Sequence, residues 1–461
     1  MVSPELVQKF EEIVGEGNVL TSEMELTLYS YDAYLKPSKP DLVVLPDGTD
    51  QVARVVKLAY DNGLPVVARG AATSLSGGPV PLKGGVVIHF SRMNRILEID
   101  PQNRTATVEP GVITLDLQNA VAKYGLQYAP DPASQKTSTL GGNVAENSGG
   151  PHCLKYGVTT NHILGLELVL YDGSVVNLGG AMHESPGPDL TGLFVGSEGT
   201  LGIATKIIVK LIPQPEAIKT MLAIFNTIED ASNTVSAIIA DGIVPATLEM
   251  MDSLVIQAVE DSVQAGYPRD AEAVLIIELD GLQDGFERLT KRIMEICHEN
   301  NVRDVKVAKD NAERAALWAG RKGAFGAVSR LRPSYMVCDG TVPRTKLPEV
   351  LKRVVELGKE YDLPIGNVFH AGDGNLHPLI LFDQRDPGQL EKVEKVASEV
   401  LKICAEVGGT ISGEHGIGME KLKEMEFIFS EDDIGFMWKI KRAWDPEDRV
   451  NPGKVLPVLT Q

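Results

Sequence analysis

Residues 130–151 read PDPASQKTSTLGGNVAENSGGP, with glycines at 141, 142, 149 and 150 and almost no large side chain after Leu140. Glycine lacks a Cβ atom, so a run of glycines and small residues lets the backbone come very close to another molecule. A flat or anionic ligand suits such a surface. The stretch therefore predicts a loop that is built around a bound molecule.

Two other stretches have the same character. Residues 65–78, PVVARGAATSLSGG, run from a buried strand into glycines, hydroxyls and one arginine, and residues 196–206, GSEGTLGIATK, lead from glycines into a strand. Backbone N–H groups in such loops can hold a phosphate, with Thr73, Ser74 and Ser76 as further donors. A plain surface loop is the alternative for residues 65–78. Neither G-x-G-x-x-G nor G-x-x-x-x-G-K-[ST] occurs, so a Rossmann or P-loop site is not supported.

In this order and spacing, the three stretches resemble the PCMH-type FAD-binding domain of the vanillyl-alcohol oxidase superfamily. The branch they resemble is the FAD-linked oxidase group, which includes the glycolate oxidase flavin subunit, D-lactate dehydrogenases and D-2-hydroxyglutarate dehydrogenases. The resemblance covers nearly the whole chain from residue 40 onward. It implies an α+β fold with a two-lobed FAD-binding domain, a ferredoxin-like α+β substrate domain and a helical C-terminal tail.

The resemblance also implies which residues hold FAD. Some members of the superfamily tether the flavin through a histidine in the first loop, but this chain has Ala71 and Ala72 and no histidine there, so we expect non-covalent FAD. The residues that the resemblance places at the cofactor are Arg69, Gly70, Ala71, Ala72, Thr73, Ser74, Gly78, Pro132, Ser138, Thr139, Gly141, Gly142, Asn143, Ala145, Gly149, Tyr156, Gly157, Glu198, Gly202, Ile203 and Asn451.

Length and periodicity predict several domains. A chain of 461 residues is too long for one ordinary core. We expect an FAD-binding domain over 1–215 with an N-terminal helix in about 1–36, a substrate domain with the metal site over 216–425, and a C-terminal segment over 426–461 that returns to the FAD domain. Residues 49–63 predict a helix with Thr49 or Asp50 as its cap, and residues 96–110 and 165–180 predict hairpins, the second with a turn at Asp172-Gly173.

Beyond Pro213 and Pro215 the predicted order is strand, helix, strand, strand, helix, strand, which resembles a ferredoxin-like split β-α-β unit. A further mixed region from about 309 to 425 holds the histidines.

Composition excludes several classes of function. The net charge of −19 opposes binding to nucleic acid or to an anionic membrane surface. The N-terminus lacks the pattern of a signal peptide, and no apolar run approaches the roughly 20 residues of a membrane span, so we expect a cytoplasmic protein without direct membrane insertion that can be peripheral through a partner. None of the four cysteines forms a C-x-x-C pair, which argues against an iron–sulfur cluster in this chain.

The sequence FHAGDGNLHP, residues 369–378, holds two of the eight histidines, His370 and His377. In one interpretation the two histidines face each other across a hairpin and bind a metal. In the other, the hairpin is polar but binds no metal, and Asp373 and Asn375 cap its turn. Glu414, in TISGEHGIG, is a candidate third ligand, since two histidines and one carboxylate form an open site for catalytic Zn²⁺ or Fe(II). The resemblance favours the metal, with Zn, Fe or Mn left open. It also makes His415 the base that accepts the substrate proton.

The resemblance implies oxidation of a short D-2-hydroxy acid, D-lactate or glycolate, with hydride transfer to flavin N5 and metal assistance. Arg321 would bind the substrate carboxylate unless it is a solvated helix arginine, and Arg344 and Lys322 are weaker candidates. The 2-hydroxyglutarate dehydrogenases place a threonine and a lysine where this chain has Phe325 and Val337, which favours a monocarboxylate. Alternatives are a D-2-hydroxyglutarate dehydrogenase and a flavin electron-transfer subunit with an idle pocket. Electrons would pass to a separate acceptor protein, an iron–sulfur subunit or an electron-transfer flavoprotein.

Overall fold

The computed structural model describes residues 2–182 and 186–458 and divides the chain into two compact units. The first unit comprises Met1–Gly149, Gly157–Gln214 and Glu414–Gln461; the second comprises Gly150–Tyr156 and Pro215–Gly413. The domain limits expected at 215/216 and 425/426 stay predictions. The ends of the predicted terminal segments, Met1 and 459–461, lie outside the described residues.

Helices and strands alternate along the chain. The helices are α1 (Pro4–Val14), α2 (Glu23–Leu28), α3 (Thr49–Asp61), α4 (Thr114–Ala122), α5 (Leu140–Glu146), α6 (Cys153–Tyr156), α7 (Leu190–Phe194), α8 (Ile228–Ala240), α9 (Ser253–Ser262), α10 (Phe286–Glu299), α11 (Asn311–Val328), α12 (Leu347–Glu360), α13 (Pro387–Glu406) and α14 (Glu431–Trp444). The strands are β1 (Val19–Leu20), β2 (Leu42–Val44), β3 (Val66–Arg69), β4 (Val86–His89), β5 (Ile96–Asp100), β6 (Thr105–Val108), β7 (Leu126–Gln127), β8 (Ile163–Val169), β9 (Val175–Gly179), β10 (Ile203–Lys210), β11 (Ile212–Pro213), β12 (Ala217–Phe225), β13 (Thr247–Asp252), β14 (Ala273–Gly281), β15 (Asp304–Val307), β16 (Ser334–Val337), β17 (Gly340–Thr341), β18 (Ile365–His370), β19 (Asn375–Leu376) and β20 (Pro378–Phe382).

The first unit contains two main sheets. One has the order β1-β2-β4-β3, with β4 parallel to both β2 and β3. The other has the order β5-β6-β10-β8-β9, and its strands are antiparallel. The two hairpins predicted at residues 96–110 and 165–180 are the pairs β5/β6 and β8/β9. Gly173, in the predicted Asp-Gly turn, has φ +84°, a conformation that glycine adopts without strain.

The second unit contains a nine-stranded sheet that runs β15-β12-β14-β13-β18-β19-β17, with β20 paired to β18 and β16 to β20. The order β15-β12-β14-β13 within it follows the ferredoxin-like pattern that the sequence predicts. Helix α9 lies between β13 and β14 in the chain, where the sequence predicts two successive strands without a helix. Strand β18, which carries His370, pairs with β13 and so joins the same sheet.

Buried aliphatic side chains explain these elements. Helix α3 turns Val52, Val55, Val56 and Ala59 inward at helical spacing. The expected cap at Thr49 or Asp50 was wrong: the N-cap is Gly48, and Thr49 is the first helical residue. The N-terminal region holds two short helices, α1 and α2, with Ser3 and Ser22 as their N-caps.

The fold class is α+β with two compact units, as expected. Among the described residues, every helix is either too short or too polar to cross a lipid bilayer.

Candidate functional site

The first glycine loop lines a cavity of about 490 Å³ in the first unit. Arg69, at the end of β3, is buried, and its Nη2 donates a hydrogen bond of 2.6 Å to the carbonyl oxygen of Tyr31. Its Nη1 is buried without a hydrogen-bond partner within the described part of the chain. A buried guanidinium nitrogen needs an acceptor, so this wall suits a phosphate. The lining residues are Leu28, Tyr31, Asp32, Ala33, Arg69, Ala71, Ala72 and Thr73.

Two titratable groups, Asp32 and Lys454, lie beside the first loop. Burial raises the pKa of Asp32 to about 6. Burial lowers the pKa of Lys454 to about 8, although nearby carboxylates favour its charged form. The Lys454 ammonium donates to the carbonyl oxygens of Gly77, Gly78 and Val80 at 2.7, 3.1 and 2.6 Å. The Lys454 side chain therefore holds the C-terminal end of the first loop by its backbone carbonyl groups.

The second glycine loop leads into α5. Thr139 is the N-cap, and its hydroxyl accepts from the Gly142 N–H at 3.3 Å. A Cβ atom added at Gly70 would lie 2.2 Å from that hydroxyl, so glycine at 70 allows the first and second loops to touch. Asn143 donates to Thr114 at 2.7 Å. The contact between Gly70 and Thr139 places the first turn of α5 against the first loop, and the Asn143 bond ties that turn to α4.

The third stretch contributes a buried carboxylate. Glu198 has φ +53°, and its side chain accepts from the backbone N–H groups of Ile417 and Gly418, both at 2.7 Å. Burial and the neighbouring charge of Glu198 raise the pKa of Glu146 well above its ordinary value. Burial also raises the pKa of Glu198, against the two backbone N–H donors. The two backbone N–H donors favour the ionised form of Glu198, so Glu146 holds its proton to a higher pH than Glu198 does.

The segment after Glu414 packs against these carboxylates. A Cβ atom on Gly416, which has φ +83°, would lie 2.7 Å from oxygens of both Glu146 and Glu198. The hydroxyl of Ser76 donates to the carbonyl oxygen of His415 at 3.0 Å. The backbone that carries His415 is therefore held by the first and third glycine-rich stretches.

Asn451 links the C-terminal tail to the same loops. Its Nδ2 donates to the carbonyl oxygens of Gly78 and Glu198 at 2.9 and 2.7 Å, and its Oδ1 is buried without a hydrogen-bond partner among the residues described. Because a buried amide oxygen needs a donor, Asn451 can accept one from a ligand.

The two hairpin histidines meet in the second unit. His370 ends β18 and His377 lies between β19 and β20, with ring centroids 5.1 Å apart and planes at 88°. The Nδ1 of His370 lies 2.6 Å from Glu249 Oε1, and the Nδ1 of His377 lies 3.3 Å from the Cys338 carbonyl oxygen. When Nδ1 donates to such an acceptor, Nε2 carries the lone pair of the neutral ring. Both histidines are buried and suited to bind a metal through Nε2.

Arg321 reaches the same place from α11. Its Nε donates to Glu249 Oε2 at 2.6 Å, and both side chains are buried. Burial alone would raise the pKa of Glu249, but its contacts with His370 and with the Arg321 guanidinium outweigh burial and hold the pKa below its ordinary value. The alternative of a solvated helix arginine is wrong for Arg321, because only 4% of the residue is exposed.

The weaker candidates have other partners. Arg344 donates from Nε to the Gly372 carbonyl oxygen, and the Lys322 ammonium lies 5.6 Å from the centre of the Trp318 ring on an exposed part of α11. Tyr156 belongs to the second unit and donates to Asp280 at 2.7 Å. The other residues expected at FAD belong to the first unit, as do Glu414 and His415.

Four residues of the candidate site were not predicted from the sequence: Glu249, Asp339, Glu146 and Lys454. Asp339 is fully buried, with Oδ1 3.9 Å from His377 Nδ1, and accepts from Ser412 and Gly413 at 2.7 and 3.0 Å. Glu249 could have been identified from the sequence, because a charged residue in the middle of the apolar strand ATLEMMD must have a buried partner. Asp339 gave no comparable signal, because it lies between short strands.

Comparison with known proteins shows which family the chain belongs to. Residues 40–179 match the family described as FAD binding domain, and residues 214–455 match FAD linked oxidases, C-terminal domain. The chain is 48% identical over 457 residues to glycolate oxidase subunit GlcD of Escherichia coli strain K12, covering 98% of this chain and 91% of that protein. It is 34% identical over 465 residues to a D-lactate dehydrogenase of Anaerostipes hadrus, covering 98% of each.

The fold has known structural relatives as well. The crystal structure of p-cresol methylhydroxylase superposes with a TM-score of 0.80 at 19% identity, over 98% of this chain and 96% of that one. This likeness confirms the vanillyl-alcohol oxidase type of fold expected from the glycine-rich loops. The chain belongs to the FAD-linked oxidases, with an N-terminal FAD-binding domain and the C-terminal domain of that family.

Proposed function

We propose that this chain oxidises a short D-2-hydroxy acid, glycolate or D-lactate, to the 2-oxo acid. The observation that carries the proposal is the buried pair His370 and His377 beside Arg321, all in the second unit. Two imidazoles with fixed Nδ1 groups suit a divalent ion, and a buried arginine suits a carboxylate. The relatives named glycolate oxidase subunit and D-lactate dehydrogenase support the same substrate class.

The residues of the first unit fit FAD. The buried Nη1 of Arg69 and Oδ1 of Asn451 offer one donor and one acceptor, and small residues line the cavity beside the first loop. The loop without a histidine supports non-covalent binding. When bound, FAD would supply the acceptor for the hydride, which carries both electrons away from the substrate carbon.

Glu414 is the proposed third metal ligand. It directly follows Gly413, so its Cα lies about 3.8 Å from that of Gly413. Gly413 itself donates to Asp339, the aspartate nearest His377. A divalent ion held by two histidines and a carboxylate supplies a Lewis acid for the hydroxyl and carboxylate oxygens of the substrate. Zn²⁺, Fe(II) and Mn²⁺ all suit these ligands.

His415 is the proposed base. An imidazole has a reference pKa close to neutral and accepts a hydroxyl proton effectively at physiological pH. Arg321 would bind the substrate carboxylate through Nη1 and Nη2, which carry four of its five N–H donors. Lys322 and Arg344 remain weaker proposals, because each has the other partner described above.

The apolar pair Phe325 and Val337 favours a monocarboxylate. Val337 is buried in the core of the second unit, and Phe325 packs beside it with its ring 6.2 Å from that of Tyr335. A second substrate carboxylate near this pair would lose its hydration without gaining a cation. This weighs against 2-hydroxyglutarate.

Electrons would leave through a separate acceptor protein, either an iron–sulfur subunit or an electron-transfer flavoprotein. Three of the four cysteines are buried, and burial raises the pKa of both Cys297 and Cys404 to about 12. Thiols with such a pKa are poor cluster ligands. That a relative is named a subunit supports a partner for this chain too.

Anaerobic reduction of the flavin tests the proposal. The protein is mixed with glycolate, D-lactate, L-lactate and D-2-hydroxyglutarate in turn, and bleaching of the flavin absorbance is followed. Glycolate or D-lactate should bleach it fastest. Fastest bleaching by 2-hydroxyglutarate would refute the substrate assignment, and no bleaching by any acid would favour an electron-transfer subunit with an idle pocket.

A further inference from the structure

Glu249 is a fully buried carboxylate at the centre of the second unit. It lies in β13, where its neighbour across the strand pair is His370 in β18. Side chains of directly opposed residues in a sheet lie on the same face. The position of Glu249 beside His370 thus follows from the register of the two strands.

The two oxygens of Glu249 have different partners. Oε1 lies 2.6 Å from His370 Nδ1 and accepts from Thr247 at 3.2 Å, while Oε2 accepts from Arg321 Nε at 2.6 Å. One carboxylate therefore touches a proposed metal ligand on one side and the proposed substrate arginine on the other.

A second carboxylate in the same sheet provides a comparison. Glu278, in β14, is equally buried and accepts from both Nε and Nη2 of Arg314 at 2.8 Å, and from Trp318 at 2.8 Å. Arg314 and Arg321 are separated by two turns of α11. Arg314 binds its glutamate through two nitrogens, Nε and Nη2, whereas the hydrogen bond from Arg321 to Glu249 is made by Nε.

We propose that Glu249 is a positioning residue that orients His370 and Arg321 together, so that metal affinity and binding of the substrate carboxylate depend on the same side chain. This inference rests on the proposed function. As hydrogen-bond acceptor for Nδ1, Glu249 fixes the tautomer in which His370 Nε2 is the ligand atom. By accepting the hydrogen bond from Arg321 Nε, it orients the guanidinium group so that Nη1 and Nη2 can bind the substrate carboxylate.

Metal binding provides the first test. Wild type, Glu249→Gln and Glu278→Gln are stripped with chelator, and each is titrated with Zn²⁺ and separately with Mn²⁺, with thermal unfolding measured in parallel. Loss of an outer hydrogen-bond partner typically weakens metal affinity by about 10- to 100-fold. We expect this loss in Glu249→Gln, whereas Glu278→Gln should unfold at lower temperature but bind each metal within about twofold of wild type.

The outcomes separate this inference from the proposed function. A wild-type chain that binds neither ion would refute the metal site and the inference with it. Normal wild-type affinity with equal affinity in Glu249→Gln would refute the inference alone. Equal losses in Glu249→Gln and Glu278→Gln would show a general structural effect and also overturn it.

A double-mutant cycle gives a second readout, which remains usable if Glu249→Gln folds poorly and is replaced by Glu249→Asp. KM for glycolate is measured for the Glu249 variant, for Arg321→Met and for the double variant. If Glu249 acts through Arg321, the increase in KM in the double variant should be clearly smaller than the product of the single increases. Independent, multiplicative effects would contradict the coupling.

Discussion

His415 can be tested at the scale of a single residue, because its backbone is held independently of its ring. The carbonyl oxygen of His415 accepts from Ser76, and the next residues are held by Glu198. His415→Ala should therefore keep the flavin spectrum and nearly the same KM, while kcat falls by about 10²- to 10⁴-fold, the usual contribution of a general base. Stopped-flow flavin reduction measures this.

The control for that variant is His298→Ala, an exposed histidine in the last turn of α10. It should leave kcat and KM unchanged. Reduction of His415→Ala flavin at the wild-type rate would remove His415 from the mechanism.

Asp32 gives a prediction of pH dependence. The folded pKa of about 6 lies above the ordinary value of 3.8, so the folded state binds a proton more tightly than the unfolded state. The contribution of Asp32 to stability is therefore greatest below pH 3.8, falls as pH rises from 3.8 to 6 and is lower by about 3 kcal/mol above pH 6, taking 1.36 kcal/mol per pKa unit. Asp32→Asn removes this loss and can still accept from Tyr34, which donates to Asp32 at 2.8 Å.

Denaturant unfolding of the flavin-free protein at pH 4.5, 5.5, 6.5 and 7.5 checks this expectation. The stability advantage of Asp32→Asn over wild type should grow with pH and level off above pH 6. A constant difference across the series would show that Asp32 does not titrate in this range.

Residue identity alone predicted the histidine pair but not its supporting carboxylates. The spacing of His370 and His377 across a glycine-containing turn is local, so the sequence displays it. The contact between Glu249 and His370 depends on pairing of strands 121 residues apart in the chain. Such pairing has no local sequence signature, although a glutamate inside an apolar strand signals that a partner exists.

At the scale of elements, the carboxylate pair Glu146 and Glu198 should respond asymmetrically to substitution. Glu198 accepts two backbone N–H groups of the segment 416–418, which favour its ionised form, whereas burial and the neighbouring carboxylate raise the pKa of Glu146 and favour its neutral form. Glu198→Gln should lower the free energy of unfolding by about 2 kcal/mol, the usual contribution of hydrogen bonds to a charged group. Glu146→Gln replaces one neutral side chain by another and should have little effect at pH 7.

Hydrogen exchange measures this difference locally. Protection of the Ile417 and Gly418 amides should fall by tenfold or more in Glu198→Gln and stay near the wild-type value in Glu146→Gln. Equal loss of protection in both variants would contradict the assignment of the proton to Glu146.

Elements with a strong local pattern were predicted well. Helix α3 and the hairpins β5/β6 and β8/β9 follow from periodicity and turn residues. Helix α9 was missed because its apolar residues, such as Val255 and Val259, follow directly on the equally apolar β13, so periodicity over a short window does not separate the two elements. The N-cap of α3 was misplaced by one residue, which is the usual uncertainty of helix ends.

At the scale of the whole molecule, the sequence indicated two kinds of domain but did not show how the second one is assembled. The histidine hairpin was assigned to a separate mixed region, yet β18 extends the ferredoxin-like sheet through β13. As a result, β13 carries Glu249 beside the metal-binding strand. FAD was inferred from the resemblance to a known family, whereas the hydrogen-bond network around His370 became visible only in the folded structure.

The two histidines proposed as metal ligands belong to a different unit from most of the FAD residues, although the third proposed ligand, Glu414, belongs to the first unit. This leads to a prediction for the whole enzyme. The residues proposed for FAD belong almost entirely to the first unit, and both histidines belong to the second. Removing the metal should therefore leave the flavin bound, because none of the contacts described for Arg69, Asn451 or Lys454 involves His370 or His377. We expect chelation to lower kcat with glycolate or D-lactate by more than about 100-fold, since Lewis-acid assistance contributes several kcal/mol.

The measurement combines metal analysis, flavin absorbance and turnover with a dye acceptor before and after dialysis against chelator. Turnover should disappear while the flavin spectrum persists, and Zn²⁺ or Mn²⁺ should restore it. His377→Ala should reproduce the chelated state and resist rescue, because it deletes a ligand and leaves the loops of the first unit unchanged. Full turnover in metal-free protein would refute metal assistance, and simultaneous loss of flavin and metal would show that the two sites are not separable.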